Sequence, residues 1–345
     1  MPHTQAITRN LLAILLVSLL AGQALAQEKV LNLYTARHYA TDESFYTGYT
    51  QATGIKINRI EGGEDALFER IKAEGANSPA DIFLTVDAAR LWRAEHAGIF
   101  APVKSAVLDK RIPAQFRGAD NKWFAFSARA RVIAYDKSKI KPADLSRYED
   151  LALPKWKGQI CVRPSSHPYN LSLISSLISH LGEEKATEWA RGIAANLARP
   201  PRGGDTDQLK AVEVGECSIA ISNHYYYLRL MRSEKPDERA LTEKVGLVWP
   251  NQADRGTHIN VSGGGLLARA PNRDAGIKFL EYLASDSAQT LFAKGNNEWP
   301  VVSGAKLDNP ALESLGKFKT DSLPLAVLGK TQAAAQRIAD KVGWK

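Results

Sequence analysis

Apolar residues come in short runs at 30–36 ("VLNLYTA"), 55–60 ("IKINRI") and 80–86 ("ADIFLTV"), each a length that suits a strand. Between and after them, apolar positions recur at helical spacing. The stretch 42–54 opens on Asp42 and stops at Gly54. The stretch 64–75 puts Leu67, Phe68 and Ile71 on one face and ends at Gly75, and 88–98 closes at Gly98. This strand–helix alternation predicts a mostly parallel sheet covered on both faces. The style returns later without sequence repetition. Strands are predicted at 158–163, 217–222, 244–250 and 263–269, and helices at 170–182, 183–197, 207–215, 274–285 and 286–295. The run 128–136 ("ARARVIAYD") lies between the two α/β blocks and is a candidate crossover. Of Arg129 and Arg131 within it, one is expected to line a cleft and the other to be solvated.

The first 26 residues stand apart from this pattern. Arg9 precedes a ten-residue, largely apolar run at 11–20, and "ALA" precedes Gln27. That is the form of a secretory signal, too short for a stable membrane anchor. An exported chain beginning near Gln27 is expected. The 319 residues from Gln27 to Lys345 exceed what one core usually supports, so two domains are expected. The formal charge is +8, but acidic and basic residues are interspersed and no Lys/Arg block occurs. A mildly positive soluble surface is expected rather than a nucleic-acid or membrane partner. The chain's two cysteines, Cys161 and Cys217, invite a disulfide in an exported protein. It would close a loop of more than fifty residues, stabilising by about 4 kcal/mol in the chain-entropy model.

The chemistry concentrates at strand ends. "CSIAIS" runs directly into "NHYYY", with His224, Tyr225, Tyr226 and Tyr227. The first strand is followed by "RHY", with His38 and Tyr39. The strand at 158–163 is followed by "PSSHPY", with Ser166, His167 and Tyr169. Carboxyl ends of strands are where open α/β sheets bind ligands. A βα turn lets adjacent side chains converge on one point. Phenols are neutral at pH 7, and a highly charged cation inverts that. Several phenolates are hard oxygen donors suited to an ion such as Fe³⁺, whereas softer ions favour thiolate or thioether. Arg129 or Arg229 could offset the resulting negative charge. The same tyrosines could equally be a stacking platform for an organic ligand, or plain packing, and each histidine singly reads as surface or structural. There is no GxSxG elbow, no HExxH and no paired-carboxylate motif, so enzymatic chemistry is not expected.

Together the stretches "LNLYTARHY", "SPADIFLTVDAARL", "FSARARVIAYD", "PKWKGQICVRPSS", "QLKAVEVGECSIAISNHYYY", "INVSGGGLLARAPN" and "NNEWPV" resemble the periplasmic ferric-iron-binding proteins of ABC importers, the bacterial transferrins, and most closely their FutA-like branch. The resemblance implies a two-lobed periplasmic-binding-protein fold of the second topological class with the ligand cleft between the lobes. It implies an N-terminal lobe of 27–127 plus about 255–305 and a C-terminal lobe of 128–254 plus about 306–345. It implies Fe³⁺ as the transported ligand, held by Tyr39, Tyr169, Tyr225 and Tyr226. His38 would be a fifth donor, and Arg129, Ser166 and Tyr227 would be neighbours or packing. A monomer in the periplasm delivering iron to an inner-membrane ABC permease is what such a protein would be. Anion-dependent relatives place a glutamate ligand where this chain has Val86, with Asp87 next. Little dependence on bound phosphate is therefore expected. The resemblance also places both cysteines at strand starts in the second lobe, which favours their pairing.

Overall fold

The computed structural model describes residues 29–37 and 39–345. The 1–26 leader and His38 lie outside the described residues. Nine strands are formed among them: β1 (Val30–Thr35), β2 (Lys56–Glu61), β3 (Ile82–Thr85), β4 (Phe124–Asp136), β5 (Ile160–Cys161), β6 (Ile219–Asn223), β7 (Val245–Val248), β8 (Ile259–Leu266) and β9 (Trp299–Pro300). Hydrogen bonding orders them β2-β1-β3-β8-β4-β6-β5, with β7 and β9 also paired to β4.

The expectation of a mostly parallel sheet holds only in part. β1 pairs in parallel with β2 and β3, and β5 with β6. β8 is antiparallel to both β3 and β4, and β4 is antiparallel to β6, β7 and β9. Helical periodicity between strands implies crossovers locally, but β8 returns from the other half of the molecule. Its "GGG" is required by the close approach. A Cβ on Gly263 would strike the carbonyl of Phe124, one on Gly264 the Leu84 side chain, and one on Gly265 the carbonyl of Lys122.

β4 decides the architecture. Its residues from Phe124 to Ala130 pair with β8, and Arg131 to Tyr135 pair with β6. One thirteen-residue strand thus passes from one sheet into another, and the protein is two-lobed. Apolar clusters cover both faces of each sheet. On the first sheet, Leu31, Leu33, Phe45, Tyr49 and Phe279 fill one side, and Tyr34, Phe68, Leu91 and Trp123 the other. On the second, Ile133, Leu173, Trp189 and Trp344 oppose Ala134, Leu209, Leu228 and Val245. Among the described residues, no helix is long and apolar enough to cross a membrane.

Cys161 and Cys217 are joined in a disulfide, as expected. Cys161 is the last residue of β5 and Cys217 lies two residues before β6, so the bridge ties neighbouring strands behind the tyrosine-bearing loops. It closes a separation of 56 residues. Replacing both cysteines by alanine is expected to cost about 4 kcal/mol, or a fall on the order of 6 °C in Tm for a chain of this size. Thermal denaturation followed by circular dichroism, with and without reductant, measures it.

Candidate metal centre

Three strand ends deliver the predicted tyrosines to one place. Tyr39 follows β1 in extended backbone (φ −86°, ψ 130°) just before a short turn of helix at Ala40–Asp42. Tyr169 is the second residue of the helix Pro168–Leu181. That helix starts there because Pro168 cannot donate, and because His167 caps it by accepting the Tyr169 N–H at Nδ1 (3.3 Å). Tyr225 and Tyr226 lie in the first turn of the helix His224–Met231, which follows β6 without a loop. Consecutive helical residues are about 100° apart. Tyr225 therefore points into the lobe junction, 1% exposed, while Tyr226 is half-buried on the cleft wall.

The Tyr225 hydroxyl is the hub. It lies 3.2 Å from the Tyr39 hydroxyl and 3.1 Å from that of Tyr169. The Tyr226 ring packs against Tyr225 at 4.3 Å between centroids. Tyr39 comes from the first sheet and the other three from the second, so the hub spans both lobes. Burial, foremost, pushes the Tyr39 phenol up to about 12, reinforced by Glu298 and opposed by Arg129 and Arg37. Burial likewise raises the Tyr169 and Tyr225 phenols well above their ordinary value. Without a cation these groups are neutral and hydrogen-bonded to one another.

Positive charge surrounds them. The guanidinium carbons of Arg129, Arg131 and Arg163 stand 5.6, 5.9 and 5.3 Å from the Tyr169 ring centroid. The expectation that only one of Arg129 and Arg131 faces the cleft is wrong. Residues two apart on a strand share a face, and both are buried there. Arg129 donates to Ser262 (2.9 Å) and to the carbonyls of Val261 (2.8 Å) and Val86. Burial works against its charge, but Tyr169, Glu298, Tyr39 and Tyr225 hold its pKa above the ordinary value. Arg229 is exposed and lies 5.3 to 5.9 Å from the rings of Tyr226, Tyr39 and Tyr225.

The counter-charges lie behind this shell. Arg37 pairs with Asp42 (2.8 Å) and Glu298 (3.3 Å) beneath Tyr39, and Arg163 donates to Asp205 (3.2 Å). Arg37, Arg163 and Glu298 were not singled out from the sequence. Arg163 occupies a strand end, so the rule that found Tyr169 would have found it. Glu298 carries no such signal.

The remaining predicted residues separate cleanly. Ser166 is exposed and lines a cavity of about 820 Å³ together with Tyr169, Tyr226, Arg90, Arg163 and His167. Tyr227 faces away, its hydroxyl donating to the Val245 carbonyl (3.1 Å), so it is a packing residue. His224 is structural: one ring nitrogen meets the Asn297 carbonyl (2.7 Å) and the other accepts from the Ala130 N–H (3.3 Å). Val86 is apolar, and Asp87 caps the helix Ala88–His96 by accepting the N–H groups of Ala89 and Arg90. Among the described residues, no group of three His, Cys, Asp or Glu could hold a metal ion.

Known proteins resemble this chain along most of its length. The family described as bacterial extracellular solute-binding protein matches residues 77–320. Iron uptake protein A1 of Synechocystis is 50% identical over 319 residues, covering 92% of this chain and 88% of that protein. The solved structure of a Trichodesmium IdiA (FutA) protein in complex with iron and citrate ligands is 53% identical. It superposes with a TM-score of 0.87 and covers 92% of this chain and all of that one. A ferric binding protein from Campylobacter jejuni is 38% identical, with a TM-score of 0.88 over 91% of this chain and all of that one.

Proposed function

The chain belongs to the bacterial extracellular solute-binding protein family, and on that premise we propose that it captures ferric iron with Tyr39, Tyr169, Tyr225 and Tyr226 and passes it to an ABC permease. It is a ferric-iron-binding transport protein rather than an enzyme, as its relatives are. The observation that carries the donor assignment is the Tyr225 hydroxyl within 3.2 Å of phenols from both lobes. Four phenolates around a trivalent ion carry a net charge of about −1, which the surrounding guanidinium groups offset. Closure brings Tyr39 to the other three, so bound iron stabilises the closed form over the open one. The sheet change between Ala130 and Arg131 supports lobes of 27–127 with 255–305 and 128–254 with 306–345. A monomer working in the periplasm, after loss of the leader, completes the proposal.

The test is optical and elemental. Protein equilibrated with ferric citrate should carry one iron and a visible phenolate-to-iron charge-transfer band. Reductant plus a ferrous chelator should bleach it, because a softer, less charged ion gains less from phenolates. Material that stays colourless and iron-free would return the tyrosines to a stacking role for an organic solute. Added phosphate should change the affinity little, since Tyr169 supplies an oxygen from the chain itself.

A further inference from the structure

Asp87 contributes nothing to the phenol cluster, yet its side chain is fully buried and fully engaged. Oδ1 accepts from the Ala89 N–H (2.8 Å) and the Arg90 N–H (3.3 Å). Oδ2 accepts from Asn260 Nδ2 (2.6 Å) and from the Ser172 hydroxyl (3.3 Å). Asn260 Nδ2 donates its second hydrogen to Ser172 Oγ (2.7 Å), and its Oδ1 accepts from the N–H groups of Ala88 (2.9 Å) and Val261 (2.8 Å). That pattern fixes the amide's orientation, because only its nitrogen end can face Asp87.

The three residues belong to three different parts. Asp87 follows β3, at the carboxyl end of the first sheet. Ser172 is on the helix Pro168–Leu181, whose Leu171, Leu173 and Ile174 pack into the core of the second sheet. Asn260 is on β8, opposite Arg129 and one step from the point where β4 changes sheets. Ser172 also lies three residues after Tyr169, hence on the same face of that helix. A rotation of the lobes about the β4 crossing would draw Ser172 away from Asp87 and Asn260.

We infer that Asp87, Asn260 and Ser172 form a latch between the lobes, with Asp87 the positioning residue that registers the Tyr169 helix against the first sheet. The inference rests on the iron-transport reading for its consequence. The latch holds the cleft shut independently of the metal, so it sets how long iron stays rather than how it is coordinated. Buried hydrogen bonds of this kind hold a state by a few-fold to about tenfold in an equilibrium.

The test is Ser172→Ala in the mature protein, with Ser179→Ala as control, whose hydroxyl among the described residues bonds only the Ser175 carbonyl of its own helix. Iron-loaded protein is mixed with excess competing chelator and the loss of the charge-transfer band is timed. Small-angle scattering of the iron-free protein reports its opening. For Ser172→Ala, release about 3- to 10-fold faster is expected, with the band position unmoved and a larger radius of gyration without iron. Ser179→Ala should match the parent. A release rate and radius equal to the parent's would overturn the latch, and so would a displaced band, because the substitution would then act on the donors themselves. If the parent takes up no iron colour, the iron reading fails, and the latch is judged on scattering alone.

Discussion

Tyr225→Phe should abolish useful iron capture while leaving the fold intact. Phenylalanine keeps the ring, its 4.3 Å packing on Tyr226 and its edge contact with Tyr39 at 6.2 Å. Only the oxygen is lost, but it is the one that stands within hydrogen-bond distance of both Tyr39 and Tyr169. Substituting groups that merely support metal ligands costs roughly 10- to 100-fold in affinity, so removing a direct donor should cost more than about 100-fold. The charge-transfer band should shift and weaken. Thermal stability of the iron-free form should change by only about 1 kcal/mol, the worth of an ordinary hydrogen bond. Tyr227→Phe is the matched comparison one residue along. Its hydroxyl goes to backbone carbonyls in the second lobe, and colour and affinity should be untouched. Competition with a chelator of known strength measures both variants. Retention of full affinity by Tyr225→Phe would remove the hub from the donor set.

Acid should strip the metal steeply. In the iron-free closed protein, burial raises the Tyr39 phenol to about 12 and holds the Tyr169 and Tyr225 phenols well above their ordinary value. At pH 7 all three hold their protons, and iron must displace them. Each displaced proton makes affinity fall tenfold per unit drop in pH, so the four phenolates of the proposed donor set predict about ten-thousandfold per unit. The sign follows from the direction of the shifts. Because the unbound phenols stay protonated everywhere below their raised pKa values, affinity keeps falling across the whole neutral and acid range, with no plateau between pH 8 and 5. A pH-stat titration should record about four protons released per iron bound. A slope below one proton would mean that the phenols remain protonated and that iron, if present, is held by other atoms. The arginine shell pulls the other way, favouring phenolates, and is the reason the burden of burial does not forbid the site.

The candidate donors were legible because of where tyrosines fall relative to strands. "CSIAIS" followed by "NHYYY" already implied a strand end carrying phenols, and β6 runs directly into the helix bearing them. The same reasoning found Tyr39 and Tyr169. The reading of Arg129 and Arg131 failed: it set them on opposite faces with one of the two solvated, although a period of two sets both arginines side by side. The direction of β8 was out of reach. Its glycines are visible in the sequence, but that they lie between β3 and β4, antiparallel to both, follows from contacts between segments far apart in the chain, such as Phe83 with Gly265 and Ala125 with Gly263.

The amino-acid sequence determined the α/β character, the strand ends at which polar groups gather, and the residue types offered there. Those properties follow from local periodicity and from side-chain chemistry, which neighbours along the chain suffice to define. Tertiary structure decided which phenols meet, that Tyr227 turns inward to packing, that Glu298 and Arg37 lie beneath Tyr39, and that Asp87 reaches Asn260 and Ser172. Such meetings depend on one strand crossing between two sheets, and their register is settled by burial and close approach of distant segments, of which a linear pattern carries no trace.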